Sequence, residues 1–231
     1  MSAQGVLSFF YDVSVWVIPV LVAITFHEAA HGWVADRLGD DTARRLGRVT
    51  FNPLRHIDRF GTVLLPALLL ILRAPFVFGY AKPVPVNFAR LRRPKRDMIW
   101  VALAGPGTNI ALAITSALMI HLVPFFSPWL GDWLHDNLER SLIINVVLAV
   151  FNMLPLPPLD GGRVLTGLLP RPIAYHFARI ERYGMLILIG LLFVVPLIGA
   201  QFGVDANVFV WLVGPPIEML LGFIIAVTGH G

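Results

Sequence analysis

The sequence predicts an all-α polytopic membrane protein: five to six transmembrane helices, a re-entrant segment and a small membrane-associated β-sheet with an edge strand. Three observations carry that prediction. Of 231 residues, 57% are hydrophobic and only 14% charged, against about 25% charged in a soluble domain, and the mean hydropathy is +0.75. Apolar runs long enough to cross a bilayer, roughly 20 residues each, recur along the chain. The loops between them differ in charge as cytoplasmic and external loops do. No polar stretch is long enough for a soluble module, so 1–231 reads as a single membrane domain. Residues 1–12 lack the basic start of a cleavable leader, and Asp12 interrupts them. The absence of cysteine excludes disulfides, thiolate metal sites and thiol nucleophiles. A net charge of +4 suits basic loops facing anionic lipid rather than nucleic acid.

Taken in order, the runs 13–35, 98–123, 183–202 and 207–228 span clearly, and 139–155 is a shorter fifth. A sixth, GTVLLPALLLILRAPFVF at 61–78, contains Pro66, Arg73 and Pro75. Residues 36–60 carry six arginines and 82–96 six lysines or arginines. Both flanks of 61–78 are therefore cytoplasmic, and the run re-enters rather than crosses, a true sixth span being the alternative. Residues 124–138 hold Asp132 and Asp136 without any Lys or Arg, which makes them external, whereas 160–182 carry Arg163, Arg171, Arg179 and Arg182. In YAKPVPVNF (80–88), Val84 and Val86 alternate with Pro83 and Pro85. That pattern suits an edge strand or a surface loop, and GRVTFNP (47–53) is its candidate partner. On this topology the inward ends of the first and fifth runs bring HEAAH (27–31) and LPLPPLDGGR (154–163) to one membrane depth.

Residues i and i+4 share a helix face, so His27 and His31 can offer imidazoles to one metal ion. Glu28, rotated by about 100°, can hold a water without being a ligand. Two histidines and a glutamate at this spacing are the zinc-hydrolase arrangement. Hydrogen-bonded core histidines are the ordinary alternative, but ionisable groups are costly in a membrane helix and mark function there. Catalytic zinc takes three protein ligands. In the extended HExxHxxGxxH pattern, Val34 and Arg37 stand where a glycine and the third histidine belong, so the third ligand comes from elsewhere. Of the candidates, His121 and Asp205 lie towards the outer face, and Glu181 sits between Arg179 and Arg182. Asp160, between a proline-broken stretch and two glycines, stands ahead of its competitor Glu218 in GPPIEML.

HEAAH on the first span, GPGTN at 105–109 and FNMLPLPPLDGG at 151–162 together resemble the site-2 protease family of intramembrane zinc metalloproteases. The likeness covers about 14–165 and extends to NPLRHIDRFGT and FGYAKPVPVN, as in compact members without PDZ or CBS domains. It implies one Zn2+ per chain on His27, His31 and Asp160, with Glu28 as catalytic base. Asn152 matches the asparagine ahead of the aspartate motif and becomes a candidate for the substrate carbonyl or oxyanion. Beside the resemblance, Asn109 is expected to pack against the HEAAH helix, and it and His56, in the loop after that helix, are further candidates for substrate contact; Val84 and Val86 are candidates for a substrate-binding edge. The C-terminal helices, about 171–228, become a candidate substrate gate. The expected substrate is a transmembrane protein or peptide, and the expected location a bacterial cytoplasmic membrane with the site towards the cytoplasm. A metal transporter using the HExxH pair is the rival, but the chain has seven histidines, one metal-spaced pair and no His-rich loop.

Overall fold

The computed structural model describes residues 3–71 and 79–230. Its helices are α1 (Ala3–Arg37), α2 (Thr42–Arg45), α3 (Leu65–Ile71), α4 (Pro94–Ile120), α5 (Pro128–Asn152), α6 (Asp160–Leu168), α7 (Arg171–Ala178), α8 (Glu181–Ile189), α9 (Val195–Gln201) and α10 (Val208–Thr228). Through a π-turn at Gly190–Val194, α8 and α9 form one run. Four helices are long and apolar enough to cross a membrane: α1, α4, the Glu181–Gln201 run and α10. α5 is also 25 residues long, but its first half is polar.

Local chemistry sets the helix ends. Pro94 and Pro128 open α4 and α5, where a missing N–H costs nothing. Asn207 accepts the Val210 N–H to cap α10, and Gly229, at φ +79°, closes it.

α1, α4, α5 and α10 pack into a bundle. Where α10 meets α4 and α5, the buried cluster is Ala113, Ala117, Leu142, Val146 and Ile224; its alanines let helix backbones approach closely. Large apolar side chains such as Phe10, Leu197 and Phe223 face outward, as lipid-facing surfaces require.

Contacts at the two ends fix the helix directions. At one end Tyr11 Oη donates to Asp136 (2.7 Å) and Trp133 Nε1 to Ser14 Oγ (2.9 Å). His121 and His230 stack with centroids 4.0 Å apart, each Nε2 at 2.7 Å from a carbonyl beyond the other, those of Thr228 and Ala117. α4 and α10 therefore end together and run the same way. At the opposite end Phe209 meets Phe151, centroids 5.8 Å apart, and Gly184 lies against Pro157 and Pro158. Successive spans would alternate in direction, yet the Glu181–Gln201 run begins and ends at this one end of the bundle. Hydropathy carries length and apolarity but no direction; in the structure Ile224, with Ile217 and Leu221 beside it, packs on Ala113 and Ala117 of α4.

Of the expected re-entrant run, the described part is a π-turn (Arg59–Leu64) continued by α3; residues 72–78 lie outside the described residues. Tyr80 N donates to Gly61 O (3.0 Å) and Thr62 Oγ1 to Tyr80 O (2.9 Å). The chain leaving at Gly61 is thus back beside it by Tyr80. The sheet expected from 47–53 and 80–88 does not form: among the described residues no strand is assigned. Pro83 and Pro85 have no N–H for a ladder, and side chains satisfy their neighbours instead. Arg48 Nη2 donates to Lys82 O (2.8 Å), and the Asn87 N–H to Asp40 Oδ2 (2.6 Å).

Candidate metal centre

Two segments far apart in sequence build the centre, and small residues let them close. On α1 the i, i+4 spacing stacks His27 over His31. Asp160 opens α6 after the proline-rich turn, and Gly161 and Gly162 lie against the backbone of Met153–Pro157, where a Cβ would collide. That contact explains two glycines after the aspartate: they let the turn fold onto itself and aim the carboxylate at α1. Gly105 of α4 faces both imidazoles, and a Cβ there would fall on His31 Nε2 and His27 Cε1.

His27 Nε2 and His31 Nε2 are 3.0 Å apart. Asp160 Oδ2 lies 3.2 Å from the first and 3.3 Å from the second. All three residues are buried. The opposite ring nitrogens are tied back: His31 Nδ1 donates to Val101 O (2.7 Å) and His27 Nδ1 to Asn109 Oδ1 (2.6 Å). With both protons on Nδ1, the two Nε2 atoms present lone pairs to each other and to Asp160 Oδ2, a buried atom without a hydrogen-bond donor. Three convergent acceptors with no donor among them fit a cation, and the two-His, one-carboxylate set suits zinc.

Beside this cluster is a cavity of about 320 Å³ lined by Glu28, Asn152, Val84, Val86 and Arg163 as well as the three ligand candidates. Glu28 Oε2 accepts the Val84 N–H at 2.7 Å. Asn152, half-buried, donates to Leu148 O (3.0 Å). Asn109 is fully buried behind His27 and does not line the cavity. His56 is 2% exposed, with Nε2 at 3.0 Å from Thr50 O, and also lies outside it. Among the alternative third ligands, Glu218 is exposed, Glu181 pairs with Arg163 (3.6 Å), and His121 is at the far end of the bundle.

Sequence reasoning missed Arg163 and Asn145. Arg163 is the only Lys or Arg among the described residues lining the cavity, with Nη1 at 3.9 Å from Asp160 Oδ1. Its signal was the i+3 step from Asp160. Asn145 accepts from Asn109 Nδ2 at 2.7 Å; its signal was a lone amide within LIINVVLAV.

Fold and site together define an integral membrane protein with a three-residue candidate metal centre and the Glu28 carboxylate at the same cavity. Residues 15–142 and 134–195 match the model of peptidase family M50, and the chain belongs to that family, the site-2 proteases. Over 185 residues it is 38% identical to "Putative zinc metalloprotease YwhC" of Bacillus subtilis, covering 78% of this chain and 80% of that one. Over 172 residues it is 28% identical to "Putative zinc metalloprotease Rip2" of Mycolicibacterium smegmatis, covering 74% and 64%. No solved structure matches the chain significantly.

Proposed function

We propose that this M50 peptidase is a zinc metalloprotease that hydrolyses peptide bonds in or near transmembrane segments of other membrane proteins. The observation that carries the reading is the convergence of His27 Nε2, His31 Nε2 and Asp160 Oδ2 with Glu28 at the same cavity, the two histidines and the glutamate lying on a helix apolar enough to span. His27, His31 and Asp160 would hold the zinc, which when bound would supply Lewis-acid chemistry for the scissile carbonyl and for the attacking water. Glu28 takes the proton of the attacking water and passes it to the leaving amine. The Val84 N–H keeps one Glu28 oxygen oriented and leaves the other for water.

The substrate segment must be unwound to expose its peptide bond, which strands backbone groups at several kcal/mol each in lipid. The extended stretch around Val84 and Val86 is the candidate surface for re-pairing them, with Asn152 across the cavity as a donor to the substrate carbonyl or oxyanion. The juxtaposition of Gly61 and Tyr80 supports a run that re-enters from one side. The basic loops support a cytoplasmic-membrane protein whose catalytic end faces the cytoplasm. On this reading 1–231 is one domain, with a catalytic core of about 14–165 and the helices of 171–228 controlling substrate access.

The test is zinc content in detergent and cleavage of a single-span substrate. Glu28→Gln is expected to retain zinc without cleaving, and Asp160→Ala to lose both. Normal cleavage by Asp160→Ala removes it from the ligand set.

A further inference from the structure

Beneath the metal centre, a chain of buried amides runs from His27 into the bundle core. Asn109 and Asn145 are both 0% exposed, in a setting where an unsatisfied amide is costly. Asn145 Nδ2 donates to Ser141 O (2.8 Å) and reaches Ser141 Oγ (3.2 Å). Its Oδ1 accepts from Asn109 Nδ2 (2.7 Å). That same Nδ2 makes a longer bond to Ala23 O (3.3 Å), and Asn109 Oδ1 faces His27 Nδ1 at 2.6 Å.

The order of these bonds is not interchangeable. A backbone carbonyl only accepts, so Ser141 O forces the Asn145 NH2 towards itself and its oxygen towards Asn109. That oxygen draws the Asn109 NH2, which turns Asn109 Oδ1 towards His27 and requires the proton on Nδ1. His27 Nε2 is left with the lone pair that a metal needs. His31 reaches the same state in one step, from the carbonyl of Val101.

We propose that Asn145 is a positioning residue for the metal centre, fixing the His27 tautomer through Asn109 from its anchor on Ser141 O. The proposal rests on the reading of His27, His31 and Asp160 as zinc ligands. Without Asn145, Asn109 keeps only the 3.3 Å bond to Ala23 O against turning over. Turned over, it presents its NH2 to Nδ1 and favours the tautomer whose Nε2 carries the proton.

The experiment is a double-mutant cycle read as zinc affinity by chelator competition on the full chain in detergent. Helical content and thermal unfolding of the metal-free variants serve as the fold control. Loss of an outer-shell partner typically weakens a metal site about 10–100-fold, so Asn109→Leu is expected in that range and Asn145→Leu at about its lower limit. In the Asn109→Leu background, Asn145→Leu should change affinity by less than about 2-fold, because it acts only through Asn109. Equal affinity of Asn145→Leu and the natural chain overturns the proposal. So does a loss that adds fully to that of Asn109→Leu, since it marks a merely structural effect. If Asn145→Leu does not fold, Asn145→Ala is read in the same cycle. Failure of the natural chain to bind zinc at all refutes the metal-centre reading instead.

Discussion

Gly105→Ala places one methyl group at the point where α4 meets both histidines, and nowhere else. Its Cβ would come closer than 3.0 Å to His31 Nε2 and His27 Nε2, whereas heavy atoms in ordinary contact sit at about 3.5 Å or more. Relief therefore takes a shift on the order of 1 Å, by α4 backing away or by the imidazoles rotating off Val101 O and Asn109 Oδ1. A 1 Å misplacement of catalytic groups costs about 100-fold in rate, and overpacking costs about 1–3 kcal/mol in stability. Two positions on, Gly107 has nothing within 4 Å of its Cβ position. Gly107→Ala should then stabilise by about 0.5–1 kcal/mol from helix propensity alone. The assay is cleavage of a single-span substrate, with zinc per chain and thermal unfolding measured on both variants. Gly105→Ala with normal zinc content and normal rate would refute the close seat of α4 on the metal centre, as would equal damage from Gly107→Ala.

Other consequences separate the elements of the site. Val84→Pro removes the N–H that holds Glu28; a hydrogen bond to a charged group contributes about 1.5–3 kcal/mol, so kcat should fall about 10–100-fold, while Val84→Ala stays close to the natural rate. Glu218→Gln, at an exposed position of α10, should leave zinc content and cleavage unchanged; a loss of zinc would return Glu218 to the ligand set. The chain has no cysteine, so single cysteines report membrane sidedness cleanly. Val204→Cys, between α9 and α10, should label from the same side as Arg171→Cys and from the side opposite His121→Cys. Labelling with His121→Cys would mean that the Glu181–Gln201 run crosses the bilayer.

The convergence of His27, His31 and Asp160 was legible because these residues obey two simple constraints: the i, i+4 spacing of His27 and His31, and the cost of a carboxylate beside apolar spans. The rest was hidden for physical reasons. α5 begins at Pro128, well before the apolar run at 139, because its polar first turns are held by Tyr11 and Ser14 of α1, partners that hydropathy cannot see. The alternation of Val84 and Val86 fits a strand and an extended loop equally, and the side chains of Arg48 and Asp40 decide for the loop. Asn109 of GPGTN reads from the sequence both as packing against the HEAAH helix and as a substrate contact; its three hydrogen bonds seat it behind His27. Asn145 carries no spacing signal at all, and only the packing of α5 on α4 brings it to Asn109.

The central claim is tested most directly by the masses of the fragments released from a single-span substrate by purified, reconstituted protein. Cleavage is expected inside or at the edge of the substrate's apolar span, abolished by chelation, restored by zinc, and absent with Glu28→Gln. Cleavage confined to soluble loops, or products formed equally by Glu28→Gln, would contradict it.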